Sequence, residues 1–263
     1  MSKTSTHSSV DYDSVANTYD RRYDNNDYSG IEAALGAFMG PTHDGRVLEV
    51  GCGTGHWLRL LGARGIRAAG LDVSARMLAF AHAQNNSTVL VRGVAEHLPW
   101  ADESFDRLFC VKALHHFRDK RAFFLEARRV LRPGGQLMTI GLDPHTGIDR
   151  WYVYDYFDPV LEIDRARCPA ASQIHTWMDA VGFADCVTRE AQHLLGQLPA
   201  RTALEQGRLD KTATSQLGLL TEEQYQQGID RIRKAMESAE ASRQTLYLSV
   251  DLRLYATSGS VPV

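Results

Sequence analysis

Three observations predict an α/β fold whose parallel sheet carries helices on both faces. Short β-branched and apolar runs alternate with segments of helical spacing from Gly45 to Val91. The first run, Val47-Leu48-Glu49-Val50, ends in the turn Gly51-Cys52-Gly53-Thr54-Gly55 and opens directly into Trp57-Leu58-Arg59-Leu60-Leu61. An acid, Asp72, closes the second run about 20 residues later, at the edge where open α/β sheets bind ligands.

The elements follow in order. An arm from Tyr12 to Met39 reads as two helical pieces broken near Asn25, Asn26 and Asp27. Strand and helix then alternate: Arg46–Val50, Trp57–Leu61, Arg67–Leu71, Ala75–Ala83 and Thr88–Val91. Ser74 stands as the N-cap of the second of these helices. Asp72 is thereby left to accept hydrogen bonds from the ribose hydroxyls of an adenosine ligand. A fourth strand, Arg107–Val111, leads into Lys112-Ala113-Leu114-His115-His116-Phe117. The helix Arg121–Leu131 stops at Arg132-Pro133-Gly134-Gly135, ahead of the strand Gln136–Ile140. A sixth strand, Val187–Glu190, and a last one, Thr245–Tyr255, complete the pattern.

At alternate positions, Gly51, Gly53 and Gly55 permit backbone conformations that a Cβ forbids and let a ligand approach the main chain. The helix N-terminus that follows favours a negative group. The spacing is not that of the dinucleotide fingerprint G-x-G-x-x-G, whose third glycine would fall at His56. Adjacent histidines raise a metal reading for His115 and His116. Neighbours in sequence point apart, however, and neither a carboxylate nor a third histidine stands at ligand spacing, so no metal is expected.

The chain has 263 residues, 44% hydrophobic, and a formal net charge of -3. That composition suits a globular protein with a sizeable core, and the balance of charge argues against a nucleic-acid partner. The four cysteines, Cys52, Cys110, Cys168 and Cys186, form no C-x-x-C pair, which predicts reduced thiols. The polar first ten residues carry no secretory apolar core, and no run is long enough to span a bilayer. A cytoplasmic protein without a membrane partner is the expectation.

Several of these segments resemble class I S-adenosylmethionine-dependent methyltransferases of the small-molecule, type 11 kind. Glu49 with Gly51, Gly53 and Gly55 resembles the first motif, an acid followed by G-x-G-x-G. Ala16-Asn17-Thr18-Tyr19-Asp20 resembles the A-x-x-Y-D element ahead of it. Gly93-Val94-Ala95-Glu96-His97-Leu98-Pro99-Trp100 and Asp102-Glu103-Ser104-Phe105-Asp106 resemble G-D-A-x-x-L-P-F and D-x-S-F-D. Ala113-Leu114-His115-His116-Phe117, Leu131-Arg132-Pro133-Gly134-Gly135 and the Val181-Gly182-Phe183 turn resemble later family segments, and the main matches run from Ala16 to Gly141 in the family's order.

The resemblance implies a Rossmann-like sheet of seven strands, the last antiparallel, binding S-adenosyl-L-methionine and releasing S-adenosyl-L-homocysteine. It implies cofactor contacts from Tyr19 in the arm and from Glu49, Gly51, Cys52, Gly53 and Gly55 at the first strand's end. Asp72, Val73 and Met77 would contribute from the second strand and its helix, and Ala95, Glu96 and Lys112 from the later loops. Val94 departs from the pattern, standing where the family has Asp near the adenine; Glu96 and main-chain groups are the substitutes. Tyr19 is open to two readings, packing the arm or capping the cofactor. His115 and His116 are likewise open, either as general base or as packing at the mouth of the site.

The implied organisation is an N-terminal arm (1–40), a cofactor domain (41–195 and 244–258) and a helical lid (196–243). Two insertions are the expected substrate chambers. Trp151–Asp164 carries Trp151, Tyr152, Tyr154, Tyr156 and Phe157; Leu198–Ala239 carries the capping box Thr221-Glu222-Glu223-Gln224, then Tyr225, Ile229, Ile232 and Met236 at helical spacing. Arm and lid would enclose a small, largely apolar acceptor with one polar reacting group, in a monomer or homodimer. The reaction would be direct displacement at the sulfonium methyl; the alternative is a cofactor-binding protein with a non-methylating or regulatory role.

Overall fold

The computed structural model describes Tyr19, Asp20, Tyr23 and residues 26–40, 45–84 and 88–263. The expected first helix of the arm, the Ala16-Asn17-Thr18 part of its motif and Asn25 lie outside the described residues. The described residues divide into two compact units: those up to Gly147 with Arg167–Leu194 and Arg253–Val263, and Ile148–Ala166 with Leu195–Leu252.

In the larger unit, α1 (Ser29–Met39) precedes β1 (Val47–Val50), α2 (His56–Ala63), β2 (Ala68–Asp72), α3 (Ala75–Gln84), β3 (Val89–Arg92) and β4 (Phe105–Val111). A 3-10 turn (Leu114–His116), α4 (Lys120–Val130) and β5 (Leu131–Leu142) follow. Strands β1 to β5 pair in parallel in the order β3-β2-β1-β4-β5. All four residues of β1 are buried, the pattern of a central parallel strand covered on both faces rather than an alternating one.

Leu48, Val50, Leu108, Cys110 and Leu137 pack on one side against Phe123, Phe124 and Ala127 of α4. Val47, Phe109, Met138 and Ile140 pack on the other against Ile31 and Leu35 of α1 and Trp57 and Leu61 of α2. The Pro-Gly-Gly turn breaks the ladder: Phe105 pairs with Leu131, and pairing resumes only at Arg107 with Gln136. Arg132–Gly135 therefore bulges out between helix and strand.

The smaller unit contains β6 (Arg150–Trp151), α5 (Tyr152–Tyr156), α6 (Val160–Arg167, whose last residue falls in the larger unit), α8 (Ala200–Glu205), α9 (Ser215–Gly218) and α10 (Glu222–Ala241); α7 (Ala171–Ala180) belongs to the larger one. β7 (Ala184–Pro199) and β8 (Tyr247–Ser260) run through both units. β8 is antiparallel to β5, from Gln136↔Ser260 to Leu142↔Leu254, and β7 lies beside it. With β1 to β5 these make the seven expected strands. The two-residue β6 is an addition, pairing Arg150 with Asp251 and Trp151 with Val250.

Both late strands outrun their expected bounds, because pairing extends them through Thr257-Ser258-Gly259-Ser260 and Gly196, residues that read locally as loop. The capping box of α10 is present: Gln224 N-H donates to Thr221 Oγ1 at 3.2 Å, and Thr221 N-H to Gln224 Oε1 at 3.0 Å. Its inner face is buried at Gly228, Ile229 and Ile232. The aromatics expected to meet substrate instead form much of this unit's interior. Trp151 and Phe157 are 7% and 1% exposed, and Tyr154 donates its hydroxyl to buried Asp164 at 2.9 Å. Phe157 fills the space left by the missing side chain of Gly228, whose Cβ would stand 2.1 Å from the ring.

Candidate functional site

The carboxyl end of β1 delivers the glycine turn to the edge of the sheet, and β2 holds it there. Gly51 N-H and Cys52 N-H both donate to the Leu71 carbonyl, at 2.7 and 3.0 Å. Gly51 has φ +78°, and a Cβ there would lie 2.4 Å from Ala113 Cβ, so the turn abuts the segment after β4. Gly53, at φ +52°, meets only the Tyr19 ring, 3.9 Å from where its Cβ would be. The backbone is thus bare at Gly53, with an aromatic ring above it.

Asp72 lies where the sequence places it, at the end of β2, but both its carboxylate oxygens are engaged. Oδ2 accepts from Gly53 N-H at 2.8 Å and Oδ1 from Ser74 N-H at 2.9 Å. Ser74 caps α3 as expected, accepting from Met77 N-H at 3.0 Å. Met77 is buried under Tyr19 and Phe80, while Val73 is 59% exposed at the strand end.

Glu49 is 1% exposed in the middle of β1, and its Oε2 is buried without a hydrogen-bond partner. Burial first, and then the nearby charge of Asp72, hold its carboxyl well above the usual range; Arg59 opposes them. Such an orphaned acid suits a cationic group that would restore its charge. Cys52 contributes through its backbone, since its sulfur is turned inward and burial pushes the thiol pKa up.

The arm is tied onto this turn by a residue that sequence reasoning passed over, although it stands in the quoted motif. Asp20 accepts from the Thr54 hydroxyl within the glycine turn, pairs with Arg59 at 3.5 Å and accepts from Gln84 Nε2 at 3.3 Å. Arg59 in turn donates to the Thr54 carbonyl at 2.7 Å. Tyr23 stacks on His56 with ring centroids 3.6 Å apart, and Tyr28 packs edge-on against Trp57. Tyr19 packs on Met77, and its ring lies over Gly53.

Lys112 sits at the end of β4 with φ +52°, a left-handed conformation rare for a side-chain-bearing residue. Its Nζ donates to Tyr28 OH at 2.9 Å, linking β4 to the arm. Ala95 is buried, and Val94, where the resemblance has Asp, is 46% exposed. Glu96, the expected substitute, has Oε1 committed to the N-H groups of Arg118 and Asp119, at 2.7 and 3.1 Å, ahead of α4. Asp106 of the D-x-S-F-D segment is structural, pairing with Arg132.

His115 and His116 separate in role. Their rings lie 4.0 Å apart, and His116 N-H closes the 3-10 turn onto the Ala113 carbonyl. His115 lines a cleft, partly open to solvent, formed by β5, β8 and α7. Burial first, then His116, Arg167, Lys112 and Lys120, hold its imidazole pKa well below the ordinary range, so it is neutral at pH 7. Among the described residues no group of three His, Cys, Asp or Glu side chains converges as a metal site, and no helix is long and apolar enough to cross a membrane.

Residues 48–139 match a family model described as a methyltransferase domain. The chain is 40% identical over 111 residues to a phthiotriol/phenolphthiotriol dimycocerosates methyltransferase 1 of Mycobacterium ulcerans, covering 40% of this chain and 41% of that protein. It is 38% identical over 111 residues to a fatty-acid O-methyltransferase of Mycolicibacterium smegmatis, covering 40% of each. The matched segment thus spans about two fifths of the length of these relatives. Among solved structures it is similar to Haemonchus contortus phosphoethanolamine N-methyltransferase 2 in complex with S-adenosyl-L-methionine, at TM-score 0.61 and 18% identity, over 95% of this chain and 57% of that one.

Proposed function

We propose that the chain is a class I S-adenosylmethionine-dependent methyltransferase that methylates a small-molecule acceptor, with His115 as the residue that takes up the acceptor's proton. The observation carrying this reading is the cleft beside β5, β8 and α7 with a neutral imidazole on its wall. The relatives are named for a fatty acid and for phthiotriol/phenolphthiotriol dimycocerosates, which supports a discrete apolar acceptor.

The residues of the glycine turn fit the cofactor. Glu49, buried and orphaned, suits the ammonium of its methionine part, and the carboxylate of Asp72, at the end of β2, suits its ribose hydroxyls. Gly53 leaves the main chain bare for close approach. When bound, the cofactor supplies an electrophilic methyl group on sulfonium sulfur. The protein's share is to hold the acceptor in place, exclude water and remove a proton. Tyr19 and Asp20 lie over the turn, and the neutral ring of His115 stands on the wall of the cleft. The four cysteines, none in a C-x-x-C pair, suit a reducing compartment, the cytoplasm.

The test is transfer of isotopically labelled methyl from S-adenosylmethionine to a panel of carboxylic acids, phenols and amines, alongside calorimetry with S-adenosylhomocysteine and NAD. Labelled product with at least one acceptor class is expected. Binding of NAD in place of S-adenosylhomocysteine, or tight product binding with no transfer to any class, would overturn the proposal.

A further inference from the structure

Two features of β5 have no explanation in cofactor binding, and they stand on one face of the strand. Thr139 is 2% exposed, and its hydroxyl has no hydrogen-bond partner. Two residues on, Gly141 projects to the same face. A Cβ built there meets nothing within 4 Å. Both residues line the cleft that His115 borders.

A buried hydroxyl without a partner is unfavourable, and a strand-interior glycine facing open space gives up packing that any larger residue would supply. The neighbouring strand does not relieve the hydroxyl. Thr257, directly opposite Thr139 in register, is engaged with Thr188, which in turn bonds His175, each at 2.9 Å. The walls carry His115, Cys168 and Tyr255 beside the apolar Ile174. Asp143 at the cleft is 8% exposed, and its carboxylate already accepts from the N-H groups of His145 and Ala171, which disfavours an anion there. The floor therefore offers one hydrogen-bonding group beside a flat, bare stretch of backbone.

We propose that this face of β5 is the acceptor subsite and that it takes a flat, uncharged ring bearing one hydroxyl, the hydroxyl paired with Thr139 Oγ1 and the ring lying over Gly141. The inference rests on the small-molecule reading above and names the chemistry that its acceptor must have. Thr139 acts as a positioning residue, and Gly141 sets the width of the subsite.

The experiment compares 4-ethylphenol with its hydroxyl-lacking isostere 4-ethyltoluene, by saturation-transfer NMR on the full chain in the presence of S-adenosylhomocysteine. Wild type is expected to prefer the phenol. Thr139→Val should weaken phenol binding roughly tenfold without weakening the toluene, and Thr139→Ser should restore it. Gly141→Val, which the open space admits without a clash, should exclude both probes and leave the calorimetric affinity for S-adenosylhomocysteine unchanged. Equal phenol affinity in wild type and Thr139→Val, undiminished binding in Gly141→Val, or no probe binding to wild type up to the solubility limit would overturn the subsite. Failure of wild type to bind S-adenosylhomocysteine would instead overturn the cofactor reading, with the probes then tested alone.

Discussion

The Gly53 amide donates to Asp72 Oδ2 at 2.8 Å, so the acid that ends the second strand fixes the tip of the glycine turn in its left-handed conformation. One side chain both shapes the loop and stands at the ligand edge. Asp72→Ala should weaken S-adenosylhomocysteine binding ten- to hundred-fold, roughly the loss of 1.5 to 3 kcal/mol of charge-assisted hydrogen bonding. Asp72→Asn should fall between the two, having lost one of the acceptor oxygens. Calorimetry decides it, and an unchanged dissociation constant in the alanine variant would show that the turn and the ribose are held by other groups.

Asp20 reaches the same turn from the arm through Thr54 and Arg59. Asp20→Ala is expected to speed release of S-adenosylhomocysteine several-fold, about the worth of one or two partly exposed polar contacts. Thermal stability should barely move. Stopped-flow displacement measures the rate, and a wild-type off-rate would mean that the arm does not restrain the ligand.

Glu49 couples the site to pH. Its folded pKa is raised above the ordinary 4.5, so between that value and the folded pKa the native state binds more protons than the unfolded one. Stability of the ligand-free protein should therefore fall as pH rises through this window. Glu49→Gln should flatten that slope and raise the melting temperature at neutral pH, while weakening S-adenosylhomocysteine binding. Parallel pH slopes for wild type and variant would mean that the carboxyl is ionised and satisfied in the free protein.

For His115 the shift is downward. The unfolded chain takes up its proton first as pH falls below the ordinary 6.5, so stability declines from there towards the folded pKa. The neutral base persists over the same range. The acid limb of kcat/KM should thus lie below pH 6.5, and His115→Gln should lower kcat about 10²- to 10⁴-fold with KM little changed. A wild-type kcat in the variant would assign the histidine to packing.

In the smaller unit, Gly228→Ala tests the packing of Phe157. A Cβ 2.1 Å from the ring overpacks the core, costing about 1 to 3 kcal/mol. Alanine's better helix propensity returns about 1 kcal/mol. A net loss in urea unfolding is expected, and a stabilised variant would show that the ring moves freely.

Sequence order alone determined the βα alternation, the glycine turn with Glu49 before it and Asp72 after it, the Ser74 cap and the α10 capping box. These are local in chain terms: each depends on periodicity, on the dihedral freedom of glycine or on a side chain reaching its own backbone three residues away. What tertiary structure decided is which polar groups are consumed. Glu96 was spent on the start of α4, Tyr154 on Asp164 and the insertion's aromatics on their own core, whereas Glu49 Oε2 and the Thr139 hydroxyl were left without partners. Nothing local to Thr139 or Gly141 marks a site, because the cleft exists only where β5, β8 and α7 meet, and burial and hydrogen-bond satisfaction are properties of that meeting rather than of the residues themselves.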